Sequence, residues 1–208
     1  MKRVVLALAL AVPLLAQSGY RKHYITAGAG AGVPRGELQP LFNSSPAFRV
    51  GYGYRFHQNF QADIALDTVF HAADVRDLFP SVVGDLRIRD YQFLLPMGGR
   101  AIVPLAGGRV LLSAGGGGAY MRYQERIRQP FGDAYFQLEC TACRSRSGWG
   151  YYALLGGSVA LDRYQHFRLG VTSRVYRGTT EGDPFGSLPA FQTKDHWVNT
   201  AAEFTFAF

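Results

Sequence analysis

Five arginines (Arg49, Arg55, Arg100, Arg168 and Arg174) and three carboxylates (Asp63, Asp67 and Glu203) fall at alternate positions of stretches whose intervening residues are mostly apolar or aromatic. Successive side chains of a strand point to opposite faces, so this spacing puts all eight on one polar face. Two kinds of chemistry suit such a set. One is a closed network of ion pairs, in which buried guanidinium groups meet carboxylates, because an unpaired buried charge costs several kcal/mol. The other is a gated polar path for small ions. Asp63 and Asp67 are four residues apart, about 13 Å along a strand, and so can serve arginines at two depths. Glu203 lies near the end of its strand and Arg168 near the start of the preceding one, so these two are expected to meet. Gly51, Gly53, Gly98, Gly115 and Gly170 share the polar face and leave room for long side chains.

The elements that must position these groups are strands, because the hydrophobic signal has period two. Segment 47–56 alternates Phe48, Val50, Tyr52, Tyr54 and Phe56 with Ala47, Arg49, Gly51, Gly53 and Arg55. The same alternation recurs at 60–70, 91–103, 110–122, 149–161, 167–177 and 198–208, and the Gly/Ala-rich segment 24–32 supplies an eighth candidate with less distinct faces. Connections between the segments alternate in length. The long ones cover 33–46, 71–89, 124–147 and 178–195; the short ones cover 57–59, 105–109 and 162–166.

An even count of strands, short turns at one end and long loops at the other describe an all-β, eight-stranded antiparallel transmembrane β-barrel, up-and-down, with a polar lumen. The short turns are then periplasmic and the long loops extracellular. A soluble barrel would put the apolar face inside. Here that face carries aromatic residues towards its ends (Phe60, Phe70, Tyr91, Trp149, Phe204, Phe206 and Phe208), the pattern of interfacial girdles. Eight strands enclose an interior just wide enough for side chains, which favours the closed network over the ion path.

The chain opens on Met1, Lys2 and Arg3 followed by an apolar run at 4–15. This is the pattern of a secretory signal peptide, expected to occupy 1–16 with cleavage near 16/17, leaving 17–208 as the barrel domain. Loss of Lys2 and Arg3 lowers the formal charge of +7 by two, and the remaining arginines are spread over strands and mixed loops without a basic cluster. That pattern excludes nucleic acid as a partner. Cys140 and Cys143 stand in C-x-x-C spacing in the third long loop. A zinc site needs four ligands, and in an oxidising compartment a loop disulfide is the expected state. No cofactor is expected. The loop 124–147 mixes Glu125, Arg126, Arg128, Asp133, Arg144 and Arg146 with Phe131, Tyr135 and Phe136, a composition suited to an extracellular ligand that the sequence does not name.

The terminus Glu203-Phe204-Thr205-Phe206-Ala207-Phe208 has aromatic residues at alternate positions and ends on Phe. Together with the leader and eight strands, the chain resembles the OmpA-like small outer-membrane β-barrel superfamily over nearly its full length. The resemblance implies an outer-membrane location and outer-membrane lipids and lipopolysaccharide as surroundings. It also implies recognition of Phe204, Phe206 and Phe208 by the barrel-assembly machinery. It further implies a non-enzymatic role in envelope structure and surface binding through the four long loops. Two alternatives remain open. Some eight-stranded barrels are lipid A hydrolases with Ser and His on the lipid face, and Ser173 and His196 share outward parity near the long-loop end. No outward strand carboxylate is available to orient the histidine, and a triad needs all its roles filled. The other alternative is a narrow passive channel for small solutes.

Overall fold

Alternating faces make each strand half apolar, and the sheet buries its polar half by rolling into a ring. The computed structural model describes residues 20–72, 78–81, 84–128, 145–182 and 192–208. The expected leader at 1–16 and the pair Cys140 and Cys143 lie outside the described residues. The strands are β1 (His23–Pro34), β2 (Ser45–His57), β3 (Phe60–Phe70), β4 (Leu78–Ser81), β5 (Gly84–Leu105), β6 (Val110–Arg128), β7 (Ser145–Ala160), β8 (Phe167–Gly182) and β9 (Gln192–Ala207). All pairings are antiparallel. Consecutive strands pair except β3 and β4; β3 joins β5, and β1 joins β9, which closes a ring of eight. Strand β4 stands outside the ring and pairs only with the start of β5, from Leu78 opposite Arg87 to Ser81 opposite Gly84.

The outer wall is the apolar face. Phe48, Val50 and Phe56 on β2, Leu155 on β7 and Val171 on β8 are all exposed, Leu155 at 68%. On β9 the outward residues from Val198 to Phe208 span ten steps, about 34 Å along the strand. At a tilt near 40° that is a belt about 26 Å tall, against about 25 Å for the apolar band of a membrane barrel. Beyond this belt, towards the long loops, the outward residues become cationic: Arg122 and Arg126 on β6, Arg177 on β8 and Lys194 on β9 are exposed.

The strands overrun the segments read from hydrophobic alternation. β5 begins at Gly84 instead of 91, and β6 continues to Arg128 instead of 122, with Arg87 opposite Arg128. β7 reaches back to Ser145, β8 runs on to Gly182, and β9 starts at Gln192. Alternation marks where the outer face is apolar, whereas ladder hydrogen bonds continue wherever the register is already set. Parts of the expected long loops are therefore strand.

Between β5 and β6 the turn is tightened by Gly107 and Gly108 at φ of 67° and 86°, a left-handed conformation that glycine adopts without steric cost. Between β7 and β8, Asp162 accepts a hydrogen bond from the Phe167 amide at 2.9 Å and pairs with His166 at 3.3 Å. The amide bond is the main reason the Asp162 carboxyl titrates below the usual aspartate range. On the β3–β5 seam, pairing runs to Ile64 opposite Met97 and resumes at Asp67 opposite Leu94. The gap contains Pro96, which has no amide proton to give.

A charge placed on the belt tests this arrangement. Leu155→Arg, at the middle of the outward run of β7, is expected to destabilise the folded barrel by about 2–4 kcal/mol in urea titrations from lipid vesicles, whereas Arg177→Leu beyond the belt changes little. Equal tolerance of both would contradict the belt.

Candidate functional site

The lumen is filled in layers. At its centre lies Asp67, 1% exposed. Arg49 stands directly across from it on β2 and binds it as a fork, Nε to Oδ1 at 2.8 Å and Nη2 to Oδ2 at 2.7 Å. Arg174 Nη1 donates to Oδ1 at 2.8 Å, and the Tyr176 hydroxyl donates to Oδ2 at 2.8 Å. Arg49 also reaches Glu203 through Nη1, and the second oxygen of Glu203 accepts from Thr172 Oγ1 at 2.8 Å. The planar fork of arginine suits this bridging, because two parallel bonds to one carboxylate leave further donors free for another.

The register explains why these groups meet. Gly28 on β1 pairs with Arg49 on one side and Glu203 on the other. With no side chain at Gly28, the guanidinium crosses β1 to reach the carboxylate. A Cβ there would lie 2.6 Å from the carbonyl oxygen of Ala202 and 3.0 Å from Glu203 Cγ. Nearer the short-turn end, Arg100 Nε donates to Asp63 Oδ2 at 2.6 Å and Gln61 donates to the other oxygen at 2.6 Å. Asp63 and Asp67 thus engage different arginines.

Two of the inward arginines stand outside this network. Arg168 does not meet Glu203, contrary to the expectation from strand ends: Glu203 lies opposite Gly170, and Arg168 lies opposite Thr205. The guanidinium of Arg168 turns towards the short-turn end instead, donating to the carbonyls of Gly108 and Arg109 at 3.0 Å each and to Ser158 Oγ at 3.2 Å. Arg55 binds the Gln58 carbonyl and the Tyr24 hydroxyl. Near the rim of a barrel, turn carbonyls face inward and can take donors that no carboxylate reaches.

Above the ion pairs, towards the long loops, the lumen is closed by an apolar plug that the search for polar inward residues missed. Val69, Leu94, Met121, Tyr176 and Trp197 are fully buried there, and Leu38 and Phe42 descend into it from the segment between β1 and β2. Phe42 meets Trp197 and Tyr123 edge-on at 5.6 and 5.5 Å. Nothing in the pattern marked Leu38 and Phe42, which lie in an expected loop. A last polar layer covers the plug. Arg146 packs over the Tyr123 and Phe42 rings at 4.9 and 5.2 Å, donates to Thr193 at 2.7 Å and faces Asp195 at 3.7 Å.

On the outer wall, Ser173 shares a 3.0 Å hydrogen bond with Thr200, its partner across β9, while His196 lies opposite Arg177. Four strand positions, about 13 Å, separate Ser173 from the level of His196. The two do not form a nucleophile–base pair. Phe204, Phe206 and Phe208 point outward around the short-turn rim, where Phe167 meets Phe204 and Phe206, Phe206 stacks on Phe208 at 5.6 Å, and Phe208 stacks on His23.

A closed eight-stranded ring, apolar outside and filled inside, is the fold of the small outer-membrane β-barrels. No protein-family model matches the sequence, and no curated protein matches it. Among solved structures the fold is similar to the outer membrane protein OprG from Pseudomonas aeruginosa, with a TM-score of 0.56 and 11% identity over 93% of this chain and 100% of that one. Neisserial surface protein A is similar with a TM-score of 0.51 and 14% identity over 92% of this chain and 100% of that one. Ail, the attachment invasion locus protein of Yersinia pestis, is similar with a TM-score of 0.50 and 12% identity over 90% of this chain and 100% of that one.

The network predicts an order of sensitivity. Asp67→Asn strips two arginines of their shared charge and is expected to cost about 3–5 kcal/mol, the range for breaking a buried pair. Glu203→Gln is expected to cost less, because Asp67 still holds Arg49. Asp63→Asn, whose partner Arg100 is partly exposed, should cost least. Urea midpoints of the three variants refolded in detergent check this order. A loss for Asp63→Asn as large as that for Asp67→Asn would contradict it.

Proposed function

We propose that this chain is a non-enzymatic barrel of the outer membrane, with its short turns in the periplasm, that supports the envelope and binds at the cell surface through its long-loop rim. The observation that carries the reading is the double closure of the lumen: an ion-pair layer centred on Asp67 and an apolar plug centred on Trp197 lie in series along it. A solute path would need both layers to part, and parting the first would expose unpaired guanidinium groups. Hydrolysis at the lipid face lacks its geometry, since Ser173 and His196 are held apart by the register. What remains for contact with macromolecules is the outside and the rim.

The partners follow from the same surfaces. Outer-membrane lipids meet the apolar belt, and the cations above it (Arg122, Arg126, Arg177 and Lys194) face the level of phosphorylated headgroups such as those of lipopolysaccharide. The outward aromatic series Phe204, Phe206 and Phe208 at the short-turn end is the segment offered to the barrel-assembly machinery. The extracellular ligand belongs to the loops, where rigid strand ends display variable segments.

Planar-bilayer recording tests the reading directly. Wild-type barrel is expected to give no steady conductance. A variant that thins both layers, Arg49→Ala with Trp197→Ala, is expected to give transient currents. Robust open-channel currents from the wild type would sink the closed-barrel reading and favour a channel.

A further inference from the structure

Counting inward charges leaves a surplus at one place. Arg55 and Arg168 are 4% and 3% exposed, yet neither has a salt bridge to a carboxylate among the described residues. They are close enough to repel each other. Asp162 acts on Arg168 from the exposed turn, with its own oxygens already engaged by Phe167 and His166. Carbonyls satisfy the geometry of both guanidinium groups but carry no net charge to offset theirs.

Beside Arg168 the lumen holds a cavity of about 50 Å³ at the short-turn side of the ion-pair layer. Its walls offer donors. Ser158 accepts from Arg168 Nε, so its own proton is free to point elsewhere. Thr26 and Thr205 share one hydrogen bond at 3.0 Å, which uses one of their two hydroxyl protons. Ser113 also borders the space, with its own hydroxyl donating to the Gly156 carbonyl. Two charged groups on the wall are already neutralised: Arg100 by Asp63, and Glu203 by Arg49 and Thr172. The net character is one uncompensated guanidinium with two unused hydroxyl donors, Ser158 and one of the pair Thr26 and Thr205, around a small void.

We infer that this cavity is a binding site for a small inorganic anion of halide size, entering from the short-turn end. A single water needs about 10–15 Å³ of such space, so the cavity has room for a small inorganic anion together with a water or two. The buried charge of Arg168, costly when unpaired, is the source of its affinity. The inference concerns the base of the lumen and stands apart from the surface role proposed above.

Crystals of the full chain grown with bromide in place of chloride test it by anomalous diffraction. One bromide peak is expected in contact with Arg168 and Ser158. In parallel, at fixed ionic strength, the thermal midpoint is expected to be about 2–4 °C higher in chloride than in gluconate, with the difference lost in Arg168→Gln. Ser158→Ala keeps the guanidinium and is expected to fold and to weaken the bromide peak, so the test survives if Arg168→Gln does not fold. An empty or water-filled cavity in bromide, a peak that is unchanged in these variants, or a midpoint indifferent to the anion would overturn the inference.

Discussion

The carboxylate of Asp67 accepts four hydrogen bonds from three side chains, Arg49, Arg174 and Tyr176, and the middle of the barrel is arranged around that fact. Two guanidinium groups and a carboxylate must be brought out of water together, since either charge alone would be expensive. Bringing them together requires β2, β3 and β8 to present them at one depth. It also requires β1 to stay out of the way, which Gly28 achieves by lacking a side chain between Arg49 and Glu203. A shift of one residue in any of these pairings would turn the charged groups onto the apolar outer face. The network therefore penalises wrong registers. Replacing the whole set by apolar side chains would remove that penalty even if it kept the stability.

Tyr176 joins the two ways in which the lumen is filled. Its hydroxyl donates to Asp67, while its ring lies 5.9 Å from Tyr152 within the apolar plug. Towards the short turns the interior is polar and charged. Towards the long loops it is packed like a soluble core, with Trp197, Leu94 and Met121 fully buried. Leu38 and Phe42 extend this core into the mouth, so the first long connection is anchored by burial. The polar layer of Arg146, Thr193 and Asp195 then separates the plug from solvent. Each layer protects the next: the plug keeps water from the ion pairs at Asp67, and the cap keeps it from the plug.

The ring of eight strands was legible in the sequence because two independent signals agreed, period-two alternation and the long–short rhythm of connections. Inward parity was legible for the same reason. What parity cannot supply is the partner across the strand. Glu203 and Arg168 looked like neighbours from their places near strand ends, but the register sets Glu203 beside Gly170 and Gly28. The plug was hidden for a different reason. Leu94, Met121 and Trp197 interrupt the polar face with apolar residues, so they lower the contrast on which the pattern depends. Leu38 and Phe42 sit in a connection and belong to no strand period at all. The overrun of β5 and β6 was hidden because the face of outward parity, apolar up to Tyr91 and Tyr120, there turns charged, with Arg87 and Arg89 on β5 and Arg122, Arg126 and Arg128 on β6.

The two ends of the barrel use cations in opposite ways. At the long-loop end Arg122, Arg126, Arg177 and Lys194 point outward and lie exposed beyond the apolar belt. At the short-turn end Arg55 and Arg168 point inward and are buried among backbone carbonyls. Outward cations just above an apolar band are solvated by water or by lipid phosphates, and exposed charges of that kind cost little. Inward cations have neither, and only a dipole or an anion can take their place. The side on which the surplus is buried is also the side where the turns are shortest, because short turns bring carbonyls close to the lumen. The placement of charge thus follows from the alternation of turn lengths, the same feature that gives the barrel its direction.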